Sequence, residues 1–416
     1  MDQRRRITVL LGNDLHLVGE LIFEAVGDRQ HSAFRYHEEW LENPIAFAIS
    51  PAMPLRSGWD HFSGSDLHAL PDPIADTAPD SWGRSVIRTR LGRDVSEIEM
   101  LLAVSDISRV GALRFMDEQG EIQSTDVPPL PRMSTLSDLR KLNARYEVGE
   151  GNLVEIARAL RGTGDSLGGA RPKSVVDIDD GLAIAKYTSE YDTMPVERME
   201  VATLRLAAEV GIRASPAWLE LDDSPHPVAI IRRFDRTGQR RHHYISARSF
   251  LNKRSSDAPA YYTDLVEVMR GNCGDGDQAL YEIRELYKRI LFTILVSNTD
   301  DHLKNHGYLH AGGSQWMLSP AFDINPQPFR QALLKTGISE LSGFEPSIEA
   351  LIEASFLFEI DESEAASMVL DMATTIRDSW RMICADVDMT AAQISQYAPA
   401  FEHRQMVIAL AVGKGR

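Results

Sequence analysis

The sequence lacks the features that mark several classes of protein. It contains only two cysteines, Cys273 and Cys384, which excludes a disulfide framework or a cysteine-based zinc cluster and favours a reducing compartment. Basic residues are also scarce, 44 against 61 acidic ones, so the formal net charge is -17 at pH 7. That balance argues against nucleic-acid binding through a general basic surface and favours a basic partner, although acidity can also serve solubility alone.

Long apolar runs are missing as well. None approaches the roughly 20 residues that a membrane-spanning helix needs. The basic start, Met1 to Arg6, is similar to the first part of a signal peptide, but the apolar run Ile7 to Leu11 that follows is short and Asn13-Asp14 interrupts it. We therefore expect a cytoplasmic protein that does not bind membranes.

The composition is otherwise that of an ordinary globular protein, with 43% hydrophobic and 25% charged residues. A length of 416 residues leaves room for two or three domains. The proline-rich piece Val127 to Pro131 is the clearest boundary between them. We predict an α+β chain with three parts, residues 1–131, 132–245 and 246–416.

Periodicity and turn residues predict the elements. The predicted strands cover residues 7–11, 33–36, 44–49, 110–115, 174–178, 182–186, 215–221 and 227–234, with a two-residue turn at Asp180-Gly181. The predicted helices cover residues 81–91, 135–160 with a break at 149–151, 195–210, 279–296, 347–356, 362–384, 389–397 and 400–410, with Pro399 interrupting the last two. A short strand-like passage precedes Phe322.

One stretch carries a chemical signal, Val296 to Asn305. It contains Asp300, four further residues and Asn305, and a second aspartate, Asp323, follows downstream. This is the spacing of a protein-kinase catalytic loop, in which one carboxylate accepts the proton of the attacking hydroxyl while an amide and a second carboxylate hold magnesium. The spacing alone is common by chance, so its weight comes from kinase-type parts upstream in the right order.

Those upstream parts begin with a glycine-rich loop, residues 162–173, followed by the hairpin that ends at Lys186. Glycines let backbone N–H groups approach a phosphate, and a lysine can pair with its oxygens. The next helix carries Glu197 and Glu200 one turn apart, and either is a candidate ion-pair partner for Lys186. The alternatives are an ordinary turn, a solvated lysine and two glutamates on a solvated helix face.

Assembled in this order, the parts resemble the HipA family of bacterial serine/threonine kinases, the toxin half of HipBA toxin–antitoxin systems, over nearly the whole chain. The stretches Phe34 to Tyr36, Glu39 to Leu41 and Ser50 to Arg56 are similar to the family's N-terminal subdomain. The resemblance implies a two-lobed protein-kinase-like fold with that extra subdomain, a β-rich N-lobe and a helical C-lobe.

The resemblance also implies roles for single residues. Asp300 is the expected catalytic base, Asn305 and Asp323 the expected magnesium ligands, and Ser166 the expected autophosphorylation site. Glu200 becomes the expected partner of Lys186. The residues expected to bind ATP are Gly168, Gly169, Ala170, Arg171, Pro172, Lys173, Lys186, Glu200, Arg232, Arg233, Phe234, His302, Leu303, Lys304, Asn305, Phe322 and Asp323.

Phe322-Asp323 stands in place of the usual Asp-Phe-Gly of protein kinases and supplies the other expected metal ligand. Two departures from the family pattern stand out. Arg232 stands where a family member has an acidic residue, which a backbone-mediated adenine contact tolerates. Arg171-Pro172 stands where that member has Gln-Glu, and it is expected to stiffen the phosphate loop.

The function implied is an ATP–Mg²⁺-dependent serine/threonine protein kinase whose target is an aminoacyl-tRNA synthetase and whose action gives growth arrest and persistence. A small helix-turn-helix antitoxin of the HipB type is the implied partner, through which the chain reaches DNA. Three alternatives remain: a small-molecule phosphotransferase, a pseudokinase co-repressor, and a magnesium or zinc hydrolase built on Asp300, Asp301 and His302.

Overall fold

The structure is a computed structural model that describes residues 3–27, 29–64, 69–125, 129–162, 169, 171–221, 224–253, 259–329 and 333–412. The chain forms two compact units. The first unit is Met1–Tyr191 with Ile230–Ser255, and the second is Asp192–Ala229 with Ser256–Arg416. Each unit gathers two separate stretches of the chain, and the division at residues 131 and 245 stays a prediction.

Strands and helices of the described residues are as follows. The strands are β1 Gln3–Leu11, β2 His16–Val26, β3 Arg29–Tyr36, β4 Asp60–Gly64, β5 Leu113–Met116, β6 Lys173–Ile178, β7 Gly181–Tyr187, β8 Ala217–Glu220, β9 Val228–Arg232, β10 Arg236–Thr237, β11 Arg240–Arg241, β12 Tyr244–Ser246, β13 Gly307–Gly312 and β14 Gln315–Leu318. The helices are α1 Glu38–Leu41, α2 Asp72–Ala75, α3 Ser81–Leu91, α4 Glu97–Ala103, α5 Leu136–Glu147, α6 Leu153–Ala159, α7 Val196–Glu209, α8 Ala247–Phe250, α9 Tyr262–Asn272, α10 Gly276–Leu295, α11 Ile348–Glu353, α12 Glu362–Ala385, α13 Ala391–Phe401 and α14 Arg404–Ala411.

An antiparallel five-stranded sheet, in the order β4-β3-β2-β1-β5, builds the core of the first unit. Along its central strand β2, Leu21, Phe23 and Ala25 alternate toward the core and are buried. Alternation with period two places successive side chains on opposite faces of a sheet, so this strand covers the core with one face. No predicted strand covers the range of β2.

The predicted strand at residues 44–49 is wrong, because no strand forms there. Its backbone groups form hydrogen bonds with side chains rather than with a neighbouring strand. The Trp40 indole donates to the Phe47 carbonyl at 3.2 Å, and the Ile49 amide donates to the Tyr36 hydroxyl at 3.0 Å. Buried backbone groups need partners, and side chains can supply them where a strand does not.

The hairpin that follows the glycine-rich loop is confirmed as β6 and β7. Its register pairs Ile178 with Gly181, so the connecting residues are Asp179 and Asp180 and the turn lies one residue before the predicted one. The same register places Lys173 opposite Lys186. Directly opposed residues of an antiparallel pair lie on the same face, so these two lysines share a face of the hairpin.

The second unit is mostly helical. Its helix α10 confirms the predicted apolar stripe, and most of its side chains from Ile283 to Leu295 are buried. Pro399 does not interrupt the helical pattern as predicted, because it lies inside α13. Pro399 and Ser395, whose carbonyl loses its helical donor, are both exposed, so water can solvate that carbonyl.

Candidate active site

The predicted catalytic loop follows directly from the end of helix α10. Its first polar residue, Asn298, is buried, and its side-chain oxygen accepts a hydrogen bond from the Asn325 amide at 3.1 Å. The Asn325 side chain in turn donates to a carboxylate oxygen of Asp323 at 3.2 Å. The catalytic loop and the second aspartate are therefore joined through Asn325, a residue that the sequence analysis missed.

Asp300 and Asp301 are neighbours in the chain but occupy opposite environments. Asp300 is exposed, whereas Asp301 is buried. The Asp300 carbonyl accepts hydrogen bonds from the His302 amide at 2.9 Å and from the Asn305 side-chain amide at 3.3 Å. These bonds hold the loop closed around Asp300 and leave its carboxylate at the surface, where an incoming hydroxyl can meet it.

Asp301 accepts hydrogen bonds from three side chains: the Tyr262 hydroxyl at 2.5 Å, His306 Nε2 at 2.9 Å and the Thr293 hydroxyl at 3.2 Å. Burial opposes ionisation of this carboxyl, but the charge and hydrogen bond of His306 and the hydroxyl of Tyr262 hold its pKa below the ordinary value. Burial next to Asp301 raises the pKa of Tyr262 well above its ordinary value. Tyr262 therefore stays a donor.

Asp323 follows the hairpin of β13 and β14 and has a positive φ of 57°, in the left-handed region that non-glycine residues rarely adopt. Beside it, Phe322 and Ile324 line a cavity of about 20 Å³ together with Asn298 and Asn305. The catalytic loop and the segment around Asp323 therefore face each other within the second unit.

Asn305 and Asp323 are chemically suited to magnesium. The Asn305 side-chain nitrogen donates to the Asp300 carbonyl, which leaves the amide oxygen as the atom to offer to a cation. Asp323 adds a carboxylate, and Mg²⁺ prefers oxygen ligands of both kinds. Among the residues that the structure describes, no group of three or more His, Cys, Asp or Glu side chains is arranged to hold a metal ion.

The remaining residues predicted in the catalytic loop are His302, Leu303 and Lys304. His302 is exposed, and Leu303–Asn305 forms a short 3-10 helix. That helix turns the chain from Asp300 toward β13, so Asn305 comes back to the Asp300 carbonyl.

In the first unit, the described part of the glycine-rich loop is anchored at Gly169. Its amide donates to the Asp80 carboxylate at 2.9 Å, and its carbonyl accepts from the Trp82 amide at 3.3 Å. Gly169 has φ +91°, and a Cβ there would lie 2.6 Å from the Lys173 ammonium. Only glycine fits this position without strain.

Lys173 and Lys186 are both buried, with exposures of 4% and 8%. The predicted alternative of a solvated lysine is therefore wrong for Lys186. Pro172 accepts a hydrogen bond from the Tyr187 amide at 3.0 Å, which ties the end of the loop to β7, and Arg171 lies beside it, partly exposed. Ser166, Gly168 and Ala170 lie outside the described residues.

Arg232, Arg233 and Phe234, which are expected to bind ATP, lie at the end of β9 and directly after it. The Arg232 guanidinium pairs with Asp180, and the Phe234 ring lies 5.6 Å from that of Tyr244. The Arg233 amide already donates to the Leu182 carbonyl at 2.9 Å, and its guanidinium is buried against Asp235. Of the two, only Arg232 keeps a partly exposed side chain.

Helix α7 carries Glu197 and Glu200, which are 2% and 3% exposed. They do not lie on a solvated face, so that alternative is wrong. Lys186 belongs to the first unit and Glu200 to the second, and the pairing of the two stays a prediction.

Comparison with known proteins adds the family. Residues 8–116 match the HipA N-terminal domain, and residues 165–380 match the HipA-like C-terminal domain. Among solved structures, the chain is similar to HipA of Shewanella oneidensis MR-1, determined with HipB and its operator DNA, with a TM-score of 0.72 and 16% identity over 98% of this chain and 97% of that one.

A second solved structure, the proinflammatory kinase CtkA of Helicobacter pylori, matches with a TM-score of 0.44 and 11% identity over 57% of this chain and 93% of that one. A comparison with the curated proteins finds no match. The first structural likeness shows a mixed α/β fold of the HipA type. Since the C-terminal domain match spans more than half of the residues, the chain belongs to the HipA family. None of the described helices is long and apolar enough to cross a membrane.

Proposed function

We propose that this chain is an ATP–Mg²⁺-dependent serine/threonine protein kinase, a HipA-like toxin. The observation that carries the proposal is the arrangement of the catalytic loop: an exposed Asp300 carboxylate beside Asn305, with Asp323 joined to the same loop through Asn325. Membership of the HipA family supports the same class of reaction.

In the proposed reaction, Asp300 accepts the proton of a serine or threonine hydroxyl while the hydroxyl oxygen attacks the γ-phosphorus of ATP. The bond between the γ-phosphorus and the bridging oxygen breaks, and ADP leaves with its electron pair. Asn305 and Asp323 would hold Mg²⁺, which neutralises phosphate charge when bound.

The first unit offers the groups for the ATP phosphates. Lys173 and Lys186 are two buried ammonium groups on one face of the hairpin, next to Gly169. Ammonium groups that share one face of the hairpin can pair with phosphate oxygens, as the proposed ATP site requires. Backbone N–H groups of a glycine-rich loop suit the same ligand.

Two variants test the proposal. Asp300→Asn should abolish phosphate transfer while ATP binding, measured by calorimetry with Mg²⁺, stays close to wild type. Asp323→Asn should abolish transfer and also weaken Mg²⁺–ATP binding, because it removes a metal ligand. Normal turnover in either variant would remove that residue from the site. Comparing the phosphoproteomes of wild type and Asp300→Asn would identify the target, proposed to be an aminoacyl-tRNA synthetase.

We also propose that Ser166 is autophosphorylated and that its phosphate inhibits the kinase. A phosphate adds about -1.5 to -2 charges at neutral pH and would repel the phosphates of ATP from the loop. Intact-mass analysis after incubation with Mg²⁺–ATP should show one added phosphate that Ser166→Ala lacks. If Ser166→Asp binds ATP as tightly as wild type, the inhibitory role is refuted.

For a partner, we propose a small basic helix-turn-helix antitoxin of the HipB type. The similar Shewanella HipA was determined with HipB and operator DNA, and a net charge of -17 complements a basic repressor. Binding to DNA depends on cationic contacts to phosphates, which an acidic chain supplies poorly. A gel shift of operator DNA should show no band with this chain alone and a supershift when the repressor is added. Tight sequence-specific binding by the chain alone would refute this.

A further inference from the structure

The catalytic loop contains a second pair of residues with the same spacing as its functional pair. Asp300 and Asn305 are separated by four residues, and so are Asp301 and His306, shifted along the chain by one. The second pair is buried, with 4% exposure for each residue, and is joined by a hydrogen bond of 2.9 Å between a carboxylate oxygen and His306 Nε2.

This bond closes the loop from beneath. Asp301 directly follows the proposed base, and His306 directly follows the proposed metal ligand Asn305. Asp301 and His306 form the lower pair of the loop. Because their hydrogen bond fixes the distance between them, it limits how far the backbones of Asp300 and Asn305 can separate. The bond from the Asn305 side chain to the Asp300 carbonyl spans the same loop at the surface.

The lower pair is also fixed to its surroundings. The Tyr262 hydroxyl of helix α9 and the Thr293 hydroxyl of helix α10 both donate to the Asp301 carboxylate. The Thr336 hydroxyl donates to the Asp301 carbonyl at 2.9 Å. The Tyr262 ring packs edge-on against that of His306, with the centroids 5.6 Å apart. Three separate parts of the second unit, α9, α10 and the segment of Thr336, thus converge on the pair.

Stability alone explains this cluster poorly. A buried pair of polar side chains often stabilises a protein less than apolar side chains of the same volume. Here His306 Nδ1 is also buried and has no hydrogen-bond partner among the described residues, which adds a cost. This cluster contributes little stability but holds both ends of the catalytic loop. It therefore fits a role in fixing the positions of Asp300 and Asn305.

We propose that Asp301, His306 and Tyr262 are positioning residues for phosphate transfer, which fix Asp300 and Asn305 relative to each other. The inference rests on the proposed kinase function. It concerns residues beneath the loop, whose side chains are buried.

A matched pair of tyrosines tests it. Tyr262 and Tyr287 are both fully buried in helices of the second unit, and the Tyr287 hydroxyl donates to the Leu351 carbonyl at 3.2 Å. Tyr262→Phe and Tyr287→Phe each remove one buried hydroxyl, so both should lower Tm slightly. Only Tyr262→Phe should lower kcat for hydrolysis of Mg²⁺–ATP, in which water replaces the attacking hydroxyl and inorganic phosphate and ADP are released. The loss should be roughly 10- to 100-fold, as expected for a small displacement of catalytic groups.

The magnesium response separates positioning from general damage. Asn305 is a proposed Mg²⁺ ligand and belongs to the same loop, so a shift of the loop displaces it. Tyr262→Phe should therefore raise the Mg²⁺ concentration for half-maximal activity, whereas Tyr287→Phe should leave it unchanged. Asp301→Asn and His306→Gln should show the same defect, and the double variant should be no worse than either single one, because both changes remove one shared bond.

Three outcomes would overturn the inference: an unchanged kcat in Tyr262→Phe, an equal loss in both tyrosine variants, or fully additive losses in Asp301→Asn and His306→Gln. An inactive wild type, indistinguishable from Asp300→Asn, would instead overturn the proposed function and the inference with it.

Discussion

Each unit buries an aspartate in a charged cluster, Asp235 in the first and Asp301 in the second, with exposures of 3% and 4%. In both, burial opposes ionisation, yet neighbouring positive charge lowers the carboxyl pKa below its ordinary value. Their partners differ. Asp235 pairs with two guanidiniums, those of Arg233 and Arg236, whereas Asp301 pairs with one imidazole and two hydroxyls.

The difference indicates two uses of a buried carboxylate. The guanidiniums remain charged at neutral pH, since burial lowers the pKa of Arg236 only to about 9. Those beside Asp235 also donate to the carbonyls of Ser108, Arg109 and Gly111, and the Gly111 amide donates to Asp235 itself. This cluster joins stretches more than 120 residues apart. The Asp301 pair instead spans five residues beside the proposed base. The first cluster holds the architecture together, and the second sets local geometry.

The largest expected effect comes from breaking the first cluster. Asp235→Asn leaves two buried guanidiniums without their anion, so the free energy of unfolding should fall by about 3–5 kcal/mol. Urea unfolding followed by circular dichroism measures the change. Asp180→Asn is the matched control in the same unit, because Asp180 forms a largely exposed pair with Arg232 and should cost less than about 1 kcal/mol.

The pH dependence provides a check on the same variant. A carboxyl whose pKa is lower in the folded state contributes stability above its unfolded pKa of 3.8, and this contribution is lost as the pH falls through the folded value. The difference between wild type and Asp235→Asn should therefore be constant above about pH 5 and shrink in acid. A difference that stays constant into acid would contradict the ionic role of Asp235.

This contrast also bears on what a sequence can predict. The catalytic loop was predicted because its chemistry requires a local spacing. The structure places Asp300, Asn305 and Asp323 in one unit, and their catalytic and metal-binding roles stay predictions. The partners of Asp301 were not predicted, because Tyr262 and Thr336 lie 39 and 35 residues away and no local pattern links them. The spacing from Asp301 to His306 can be read from the sequence, but only the structure shows that both residues are buried and hydrogen-bonded to each other.

The same reasoning applies to the elements. The helix α10 and the hairpin of β6 and β7 follow from strong local patterns, an apolar stripe and a turn between two apolar runs. The stretch 44–49 has an apolar run of strand type, yet the side chains of Trp40 and Tyr36 satisfy its backbone. The strand propensity of this stretch is therefore overridden by tertiary hydrogen bonds.

A smaller effect is expected at Asp80, the first unit's counterpart of a positioning carboxylate. Its hydrogen bond to the Gly169 amide anchors the described end of the glycine-rich loop. Asp80→Ala should raise KM for ATP roughly 10-fold with kcat nearly unchanged, since a hydrogen bond to a charged group contributes about 1.5–3 kcal/mol. Asp80→Asn keeps an acceptor oxygen and should restore most of the affinity. An unchanged KM in Asp80→Ala would show that the loop does not need this anchor.

The smallest effect is expected at Glu99. Its carboxyl pKa is lowered, as are those of Asp235 and Asp301, but its partner is exposed, so it tests a lowered pKa without full burial. A hydrogen bond from Arg93, opposed by partial burial and helped by Ser96, lowers the pKa of Glu99 from 4.5 to about 2. Unlike Asp235 and Asp301, Glu99 faces an exposed partner, so water screens the pair. Glu99→Gln should therefore cost less than about 1 kcal/mol at neutral pH.

The contribution of Glu99 to the free energy of unfolding changes with pH in the same direction as that of Asp235, but it is smaller. The contribution of Glu99 is complete above pH 4.5 and disappears as the pH falls through about 2, so the small gap between wild type and Glu99→Gln should close over that interval. Urea midpoints measured from pH 7 to pH 2 would follow both variants together. If Glu99→Gln proved as destabilising as Asp235→Asn, the strength of the ion pair rather than its burial would decide how much the loss of a paired carboxylate costs.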